Sequence, residues 1–332
     1  MLPLMATIFD VARSARVSHQ TVSRVLKGDP TVGAALRERV EVAVVELRYR
    51  PSAAARALAS KRTRTLGLIT VGQPFFGPSS TAHGFNSAAR AAGWDVSIEA
   101  LDRPDGTDVP DAVAALRSRD VQAVVVVAPT PEVTAAVAAS LDRDVPFVMA
   151  GQVAEGLSGV GIDQRAGAAL AVEHLVGLGH GVIAHLAGPA DWRDARDRER
   201  GWREALLAAD LPEGPLVNGD WSAGSGAAAV EALQGSGATA VFCGNDQMAL
   251  GLLHALHRRG VRVPEDVSVV GFDDIPEAAY FTPALTTVRQ DFDALGRGLL
   301  ARVEQLLAPD PGPAVDALAD PRLVVRDSAA AR

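Results

Sequence analysis

From Thr65 onward one pattern repeats along the chain. Short apolar runs alternate with longer stretches in which apolar residues recur every three or four positions. Leu66-Gly67-Leu68-Ile69-Thr70-Val71 opens the series; 95–100, 121–127, 146–150, 182–186, 239–243 and 267–271 continue it. Runs that are apolar at consecutive positions suit strands buried on both faces of a parallel sheet. Between them, 82–92, 112–117, 165–178, 198–208, 224–233, 248–259 and 294–307 carry helical spacing. This alternation predicts an α/β fold with parallel sheets, and its length, 64–332, predicts two lobes rather than one core.

Before Thr65 the pattern is different. Residues 7–15 read as a short helix with Ile8, Val11 and Ala12 on one face, and 15–17 as a turn. Ser18 is placed to cap a second helix running to Leu26. Val22, Val25 and Leu26 face inward on that helix, and His19, Gln20 and Arg24 face outward. Gly28-Asp29-Pro30 stops it; Thr31 caps a third helix reaching about Tyr49, with Leu36, Val40, Ala43, Val44 and Leu47 at helical spacing. A small all-α head with a polar face on its second helix is the helix-turn-helix plan, though other small bundles share the spacing.

Charge sharpens this picture. Residues 1–64 hold 12 Lys and Arg against 5 Asp and Glu, a net +7; the whole chain is −8, which leaves −15 for the remainder. A basic head on an acidic body is the footprint of a local polyanion contact, or else chance clustering on a solvated helical surface. A single cysteine, Cys243, excludes a disulfide framework and fits a reducing cytoplasm. No apolar run reaches membrane-spanning length, and residues 1–6 leave no room for the apolar middle of a signal peptide, so the expected location is cytoplasmic.

The runs Ile8-Phe9-Asp10-Val11-Ala12 and Val17-Ser18-His19-Gln20-Thr21-Val22-Ser23-Arg24-Val25-Leu26 closely resemble the LacI/GalR family of bacterial regulators. Tyr49-Arg50-Pro51-Ser52-Ala53-Ala54-Ala55-Arg56-Ala57-Leu58-Ala59 resembles that family's hinge helix. The resemblance implies double-stranded operator DNA as partner, with Ser18, His19, Gln20, Thr21, Ser23 and Arg24 at the DNA and His19, Gln20 and Arg24 at base edges. Arg suits guanine and Gln suits adenine in the major groove. Arg50, Arg56 and Arg62 are placed for phosphates or are ordinary surface charges. The hinge is too short to hold a helix alone in water, so it is expected frayed when free and helical when paired on DNA. The resemblance makes Leu58, helped by Ala55, a wedge in the minor groove; packing against the protein is the other use of such a leucine. Arg16 departs from the family's turn glycine and implies local strain or a phosphate contact.

The body resembles the same family along its length, in Leu186-Ala187-Gly188-Pro189, Gly219-Asp220-Trp221-Ser222, 244–251, 269–274 and 285–292. That implies a two-lobed domain of the periplasmic-binding-protein type I architecture, crossed three times by the chain: near 162, near 290 and after the helix ending around Leu307. The expected division is a head at 1–50, a hinge and linker at 51–63, and a ligand and dimerisation domain at 64–332, with lobe 1 at 64–162 plus 291–325 and lobe 2 at 163–290. Carried over by motif, Phe75, Arg198, Trp221, Asn245, Asp273, Gln290 and Phe292 line the cleft between lobes. Carboxylate, amide and guanidinium groups pair with vicinal hydroxyls and aromatic rings cover an apolar sugar face, so a sugar is the expected effector. Asn245 and Asp246 are equally placed to cap a helix, Asp273 and Asp274 to form a turn, and Trp221 to be core. Gly151 stands where a sugar-binding member carries an acid, and Val71 where one carries a serine; Gln73, Phe75, Phe76 and Ser79 are the compensating candidates, in a first-lobe loop at 73–81.

No P-loop, dinucleotide fingerprint, zinc-protease or nucleophile-elbow motif is present. His174, His180 and His185 do not have metal-ligand spacing, and neither a metal nor a cofactor is expected. The reading is a non-enzymatic repressor of carbohydrate-use genes, a homodimer without membrane contact, released from DNA by a sugar. A corepressor-type regulator answering to a purine or other metabolite is the alternative. A solute-binding protein would need a signal peptide, and a sugar-modifying enzyme an acid-base pair that nothing marks. Residues 311–332 lack leucine heptads, which predicts a dimer rather than a tetramer.

Overall fold

A computed structural model describes residues 6–26, 28–49, 63–72, 75–103, 105–127, 130–140, 145–151, 158–310 and 317–332. The expected hinge residues Ala55 and Leu58, with Arg50, Arg56, Arg62 and Gln73, lie outside them. The chain divides into two compact units, Met1–Thr63 and Arg64–Arg332.

In the first unit α1 (Ile8–Ala15), α2 (His19–Leu26) and α3 (Ala34–Glu46) surround a core of Val11, Ala12, Ala15, Val22, Val25, Val32, Val40, Ala43 and Tyr49. Thr7 is the cap of α1 rather than its first residue. Its hydroxyl accepts the Asp10 amide while Asp10 accepts the Thr7 amide, a reciprocal capping box. Arg16 ends α1 in the left-handed region, at φ 53° and ψ 48°. The inward assignment of Leu26 is corrected: it is exposed, as is Leu36 at the helical spacing of α3, because Val22, Val25 and Val40 already fill the small core.

The second unit holds two six-stranded sheets among its described residues. Here β1 is Thr65–Val71, β2 Asp95–Leu101, β3 Val124–Val127, β4 Phe147–Ala150, β5 Gly159–Ile162, β6 Ile183–Ala187, β7 Leu216–Asn218, β8 Ala240–Cys243, β9 Ser268–Asp273, β10 Thr286–Arg289, β11 Ala317–Ala319 and β12 Arg322–Val324. The first sheet runs β11-β5-β4-β3-β1-β2, all parallel. The second runs β12-β10-β9-β8-β6-β7, parallel except for β12 on β10. Strands β3 and β8 are buried at every position, as their unbroken apolar runs require.

The helices that position the cleft are α4 (Phe76–Ala91), α5 (Val109–Ser118), α6 (Pro131–Ser140), α7 (Gln164–Gly177), α8 (Arg193–Ala208), α9 (Ala223–Ala228), α10 (Val230–Leu233), α11 (Asp246–Arg258) and α12 (Phe292–Leu307). The chain passes from β5 to α7, returns from β10 to α12, and passes again between Ala319 and Arg322. Residues 322–324 therefore belong with the second sheet and not, as the expected range 291–325 had it, with the first; the antiparallel pairing of Leu323 with Val288 holds them there. The loop expected at 73–81 is likewise corrected from residue 76 on. Gly77, Pro78 and two serines read as a loop, yet Pro78 falls in the first helical turn, where an amide has no intrahelical partner to lose. Helices α4 and α12 cross with Gly84 and Gly296 in contact; a Cβ on Gly84 would lie 2.4 Å from the Phe292 carbonyl oxygen. That close approach seats Phe292 beside Phe76.

Candidate functional site

In the first unit the exposed side of α2 carries His19, Gln20 and Arg24, opposite the buried Val22 and Val25, with Thr21 and Ser23 half-buried. Ser18 accepts the Thr21 amide at 3.1 Å, so it caps α2. The Phe9 ring lies 5.3 Å from the His19 imidazole although it is 60% exposed. Sequence reading missed this contact, because it joins side chains of two different helices. Arg24 Nε donates to Asp29 Oδ2 at 2.9 Å, and a terminal nitrogen donates to the Thr31 hydroxyl. The Thr31 and Arg24 hydrogen bonds hold the Asp29 carboxyl far below the usual carboxylate range. Thr31, expected to cap the third helix, serves this clamp instead, and Gly33 precedes α3 without a side-chain cap.

In the second unit the carboxyl ends of the strands of both sheets face a shared cleft, the usual place for a ligand in parallel α/β architecture. Phe75, Arg198, Trp221, Asn245, Asp273, Gln290 and Phe292 all line it, joined by Phe76, Gly151, Gln164, Trp192 and Asp194. The cleft encloses about 830 Å³, its open mouth included.

Its floor is a closed ring of four polar side chains. Arg198 Nε donates to Gln164 Oε1 at 2.8 Å, Gln164 Nε2 to Gln290 Oε1 at 2.8 Å, and Gln290 Nε2 to Asp273 Oδ1 at 2.7 Å. Asp273 Oδ1 closes the ring 3.6 Å from Arg198 Nη2. Arg198 and Asp273 are each only 5% exposed, so their charges are desolvated and depend on one another. Arg198 also donates to the Gly244 carbonyl and lies 3.9 Å from the Phe272 ring centroid and 5.4 Å from that of Trp221. Burial pushes the Asp273 carboxyl up to about 6, against the pull of Arg198 and Gln290. Its backbone sits at φ 107°, a strained value for any residue but glycine, and Trp221 sits at φ 71°.

The walls are aromatic. Phe75 meets Trp192 edge-on at 4.9 Å between centroids, Trp192 meets Trp221 at 5.6 Å, and Phe76 meets Phe292 at 5.7 Å. A Cβ on Gly188 would fall 2.2 Å from the Trp221 ring, so only glycine lets the indole lie flat over that turn. Asn245 serves its structural use: Oδ1 accepts the Met248 amide at 2.8 Å and Nδ2 donates to the Trp221 carbonyl at 3.0 Å. It caps α11, holds the Trp221 backbone and still lines the cleft. Ser79 borders a neighbouring hollow with Phe76, Asp273 and Gln290; Val71 borders another, beyond Phe75 and Trp192.

Sequence reading missed Gln164, Trp192 and Asp194. The signal available was position alone, directly after a strand or in the first turn of a helix. Among the described residues no cluster of His, Cys, Asp and Glu could hold a metal ion, and no helix is long and apolar enough to cross a membrane. His180 is committed to Thr239 and Ser268, and His185 stacks on Phe242 at 4.7 Å.

Residues 7–52 match the model of bacterial regulatory proteins of the lacI family, and residues 172–329 that of the periplasmic binding protein-like domain. The chain is 35% identical to the lactose operon repressor of Escherichia coli (strain K12), covering 90% of this chain and 84% of that protein. It is 34% identical to the transcriptional repressor PurR of Vibrio atlanticus, covering 90% and 92%. The crystal structure of the lac repressor dimer bound to operator and the anti-inducer ONPF superposes with a TM-score of 0.88 at 34% identity, over 99% of this chain and all of that one.

Proposed function

The chain belongs to the LacI family of DNA-binding transcriptional repressors, and from that premise we propose that it is a homodimeric repressor released from its operator by a sugar bound in the interlobe cleft. The observation that carries the sugar reading is the buried Arg198–Asp273 pair beneath aromatic walls. Such a floor presents donors and acceptors a few ångströms apart, the demand made by neighbouring hydroxyls, while ring faces cover the C–H side of a pyranose. The ring pairs in the walls meet edge-on or steeply tilted.

Each head reads a half-site through His19, Gln20 and Arg24, with Ser18, Thr21 and Ser23 at the backbone, and Ala55 and Leu58 wedge the minor groove at the centre. Arg24 leaves its Asp29–Thr31 clamp to do so; the clamp is exposed and holds it weakly. Sugar binding bridges the lobes and shifts the first lobe against the second. A coupling of roughly 1–3 kcal/mol changes operator affinity about 5- to 150-fold.

A thermal-shift screen of the full-length protein against mono- and disaccharides and purines tests this. The expected result is a rise in melting temperature with a sugar, lost in Arg198→Ala and Asp273→Ala. A rise with purines alone would replace the sugar reading with a corepressor-type one, to which the PurR likeness points.

A further inference from the structure

The polar atoms of the cleft differ in how far the protein itself satisfies them. Arg198 is committed to Gln164, Gly244 and Asp273, with Phe272 and Trp221 beside its guanidinium. Gln164 and Gln290 hold each other, and all three polar bonds of the Asn245 amide stay within the protein. Two side-chain acceptors are left over, beside one buried donor, Trp221 Nε1. Both partners of Asp273 address Oδ1, so Oδ2 accepts no hydrogen bond among the described residues. The whole carboxylate of Asp194, in the first turn of α8, likewise accepts none, although it lines the cleft and is half-buried. Burial raises the Asp194 carboxyl above the ordinary range even with Arg198 and Arg193 opposing the shift, so its ionised form lacks solvation that a ligand could supply.

We propose, building on the carbohydrate reading above, that Asp194 is a specificity-determining residue of the effector site. With Asp273 Oδ2 it accepts hydrogen bonds from hydroxyls of an uncharged sugar and shuts out the phosphorylated form of that sugar. Two carboxylates aimed at one ligand reward hydroxyl donors and penalise an anion by like-charge repulsion in a poorly screened space. Of the two cations that border the cleft, Arg198 is held in the ring and Arg193 is engaged within the protein. The approach reinforces the bias: beyond the Phe75–Trp192 contact, Asp102 from the first lobe and Asp191 and Asp220 from the second line the adjoining hollow. A field of this sign lowers the local concentration of anions before they reach the floor.

Titration calorimetry on the full-length protein tests this with glucose, galactose, fructose and ribose, each beside its own terminal phosphate. At least one free sugar is expected to bind, and its phosphate at least 100-fold more weakly. Asp194→Asn should narrow that ratio tenfold or more, weakening the free sugar and strengthening the phosphate. Asp194→Ser, which keeps a hydrogen-bonding group without the charge, should do the same and guards against a folding defect in the first variant; operator binding without sugar reports that defect. Equal binding of a sugar and its phosphate, binding of a phosphate alone, or an unchanged ratio in both variants would overturn the role of Asp194 and leave the carbohydrate reading standing. Binding of no sugar in either form would overturn both.

Discussion

The side-chain amide of Gln164 donates to the side-chain carbonyl of Gln290 at 2.8 Å, across 126 positions of sequence. Gln164 follows the first passage of the chain between sheets and Gln290 the second. The bond therefore ties two of the three connections between the lobes, and the same glutamines hold Arg198 and Asp273. An effector in the cleft, as proposed above, would be sensed next to this lobe hinge.

Gln164→Ala should make that hinge looser. It strands Arg198 Nε and Gln290 Oε1 in a buried site, at a cost of about 1–3 kcal/mol. The urea midpoint of the second unit should fall accordingly, with weaker effector response and unchanged operator affinity in the absence of effector. An unchanged midpoint would show that water replaces both bonds at no cost.

Arg198 and Asp273 should behave as one unit. Removing the arginine alone leaves a buried carboxylate without its cation, which costs about 3–5 kcal/mol. Replacing both, as Arg198→Met with Asp273→Asn, removes the uncompensated charge and should recover most of the stability while effector binding stays lost. A double-mutant cycle by denaturant unfolding gives the coupling, and additive losses would contradict it.

Much of this was readable in advance. The long parallel strands declare themselves because burial on both faces leaves runs such as Val124–Val127 with no polar position. Strands β5 and β11 were silent: Gly-Val-Gly-Ile and Ala-Leu-Ala are too short to show a period, and long-range pairing makes them strands. Helix α6 escaped because Ala and Val occupy both of its faces. In the cleft, Arg198, Trp221 and Asp273 were legible from local motifs. Gln164 and Asp194 were not, since their meaning comes from the chain returning past them more than a hundred residues later, or from hydrogen bonds they do not make.

Acidity should report on Asp273. Its folded carboxyl titrates at about 6 against an ordinary 3.8, so the folded state takes the proton more readily than the unfolded one. The contribution is full below about 3.8 and is lost as pH rises through about 6. At 1.36 kcal/mol per unit this is about 3 kcal/mol between the two limits. Effector binding has the opposite sign: a hydroxyl donating to the carboxylate needs it ionised, so affinity should climb as pH rises through about 6 and level off above. Calorimetry from pH 5 to 7.5 measures both. Subtraction of Asp273→Asn isolates the group from Asp194, Asp197 and Asp246, whose carboxyls burial also raises. A variant with the wild-type slope would assign the effect elsewhere.

Arg16 separates stability from DNA contact in the head. It adopts φ 53° and ψ 48°, a conformation that costs a side-chain-bearing residue about 1–2 kcal/mol and glycine almost nothing. Arg16→Gly relieves this strain but makes the unfolded chain more flexible, so the net gain should be about 0.5–1 kcal/mol. Calorimetry of the full chain should show it as a higher melting temperature of the first unit alone. The arginine is exposed in the helix-turn-helix turn, where a phosphate contact would be independent of base sequence. In that case the glycine variant binds operator and random DNA more weakly by the same factor, with a salt slope shallower by about 1. A more stable head with unaltered affinity for both DNAs would mean that the strain serves no contact, and that the turn tolerates arginine only because the core around Val11, Val22 and Val40 holds it.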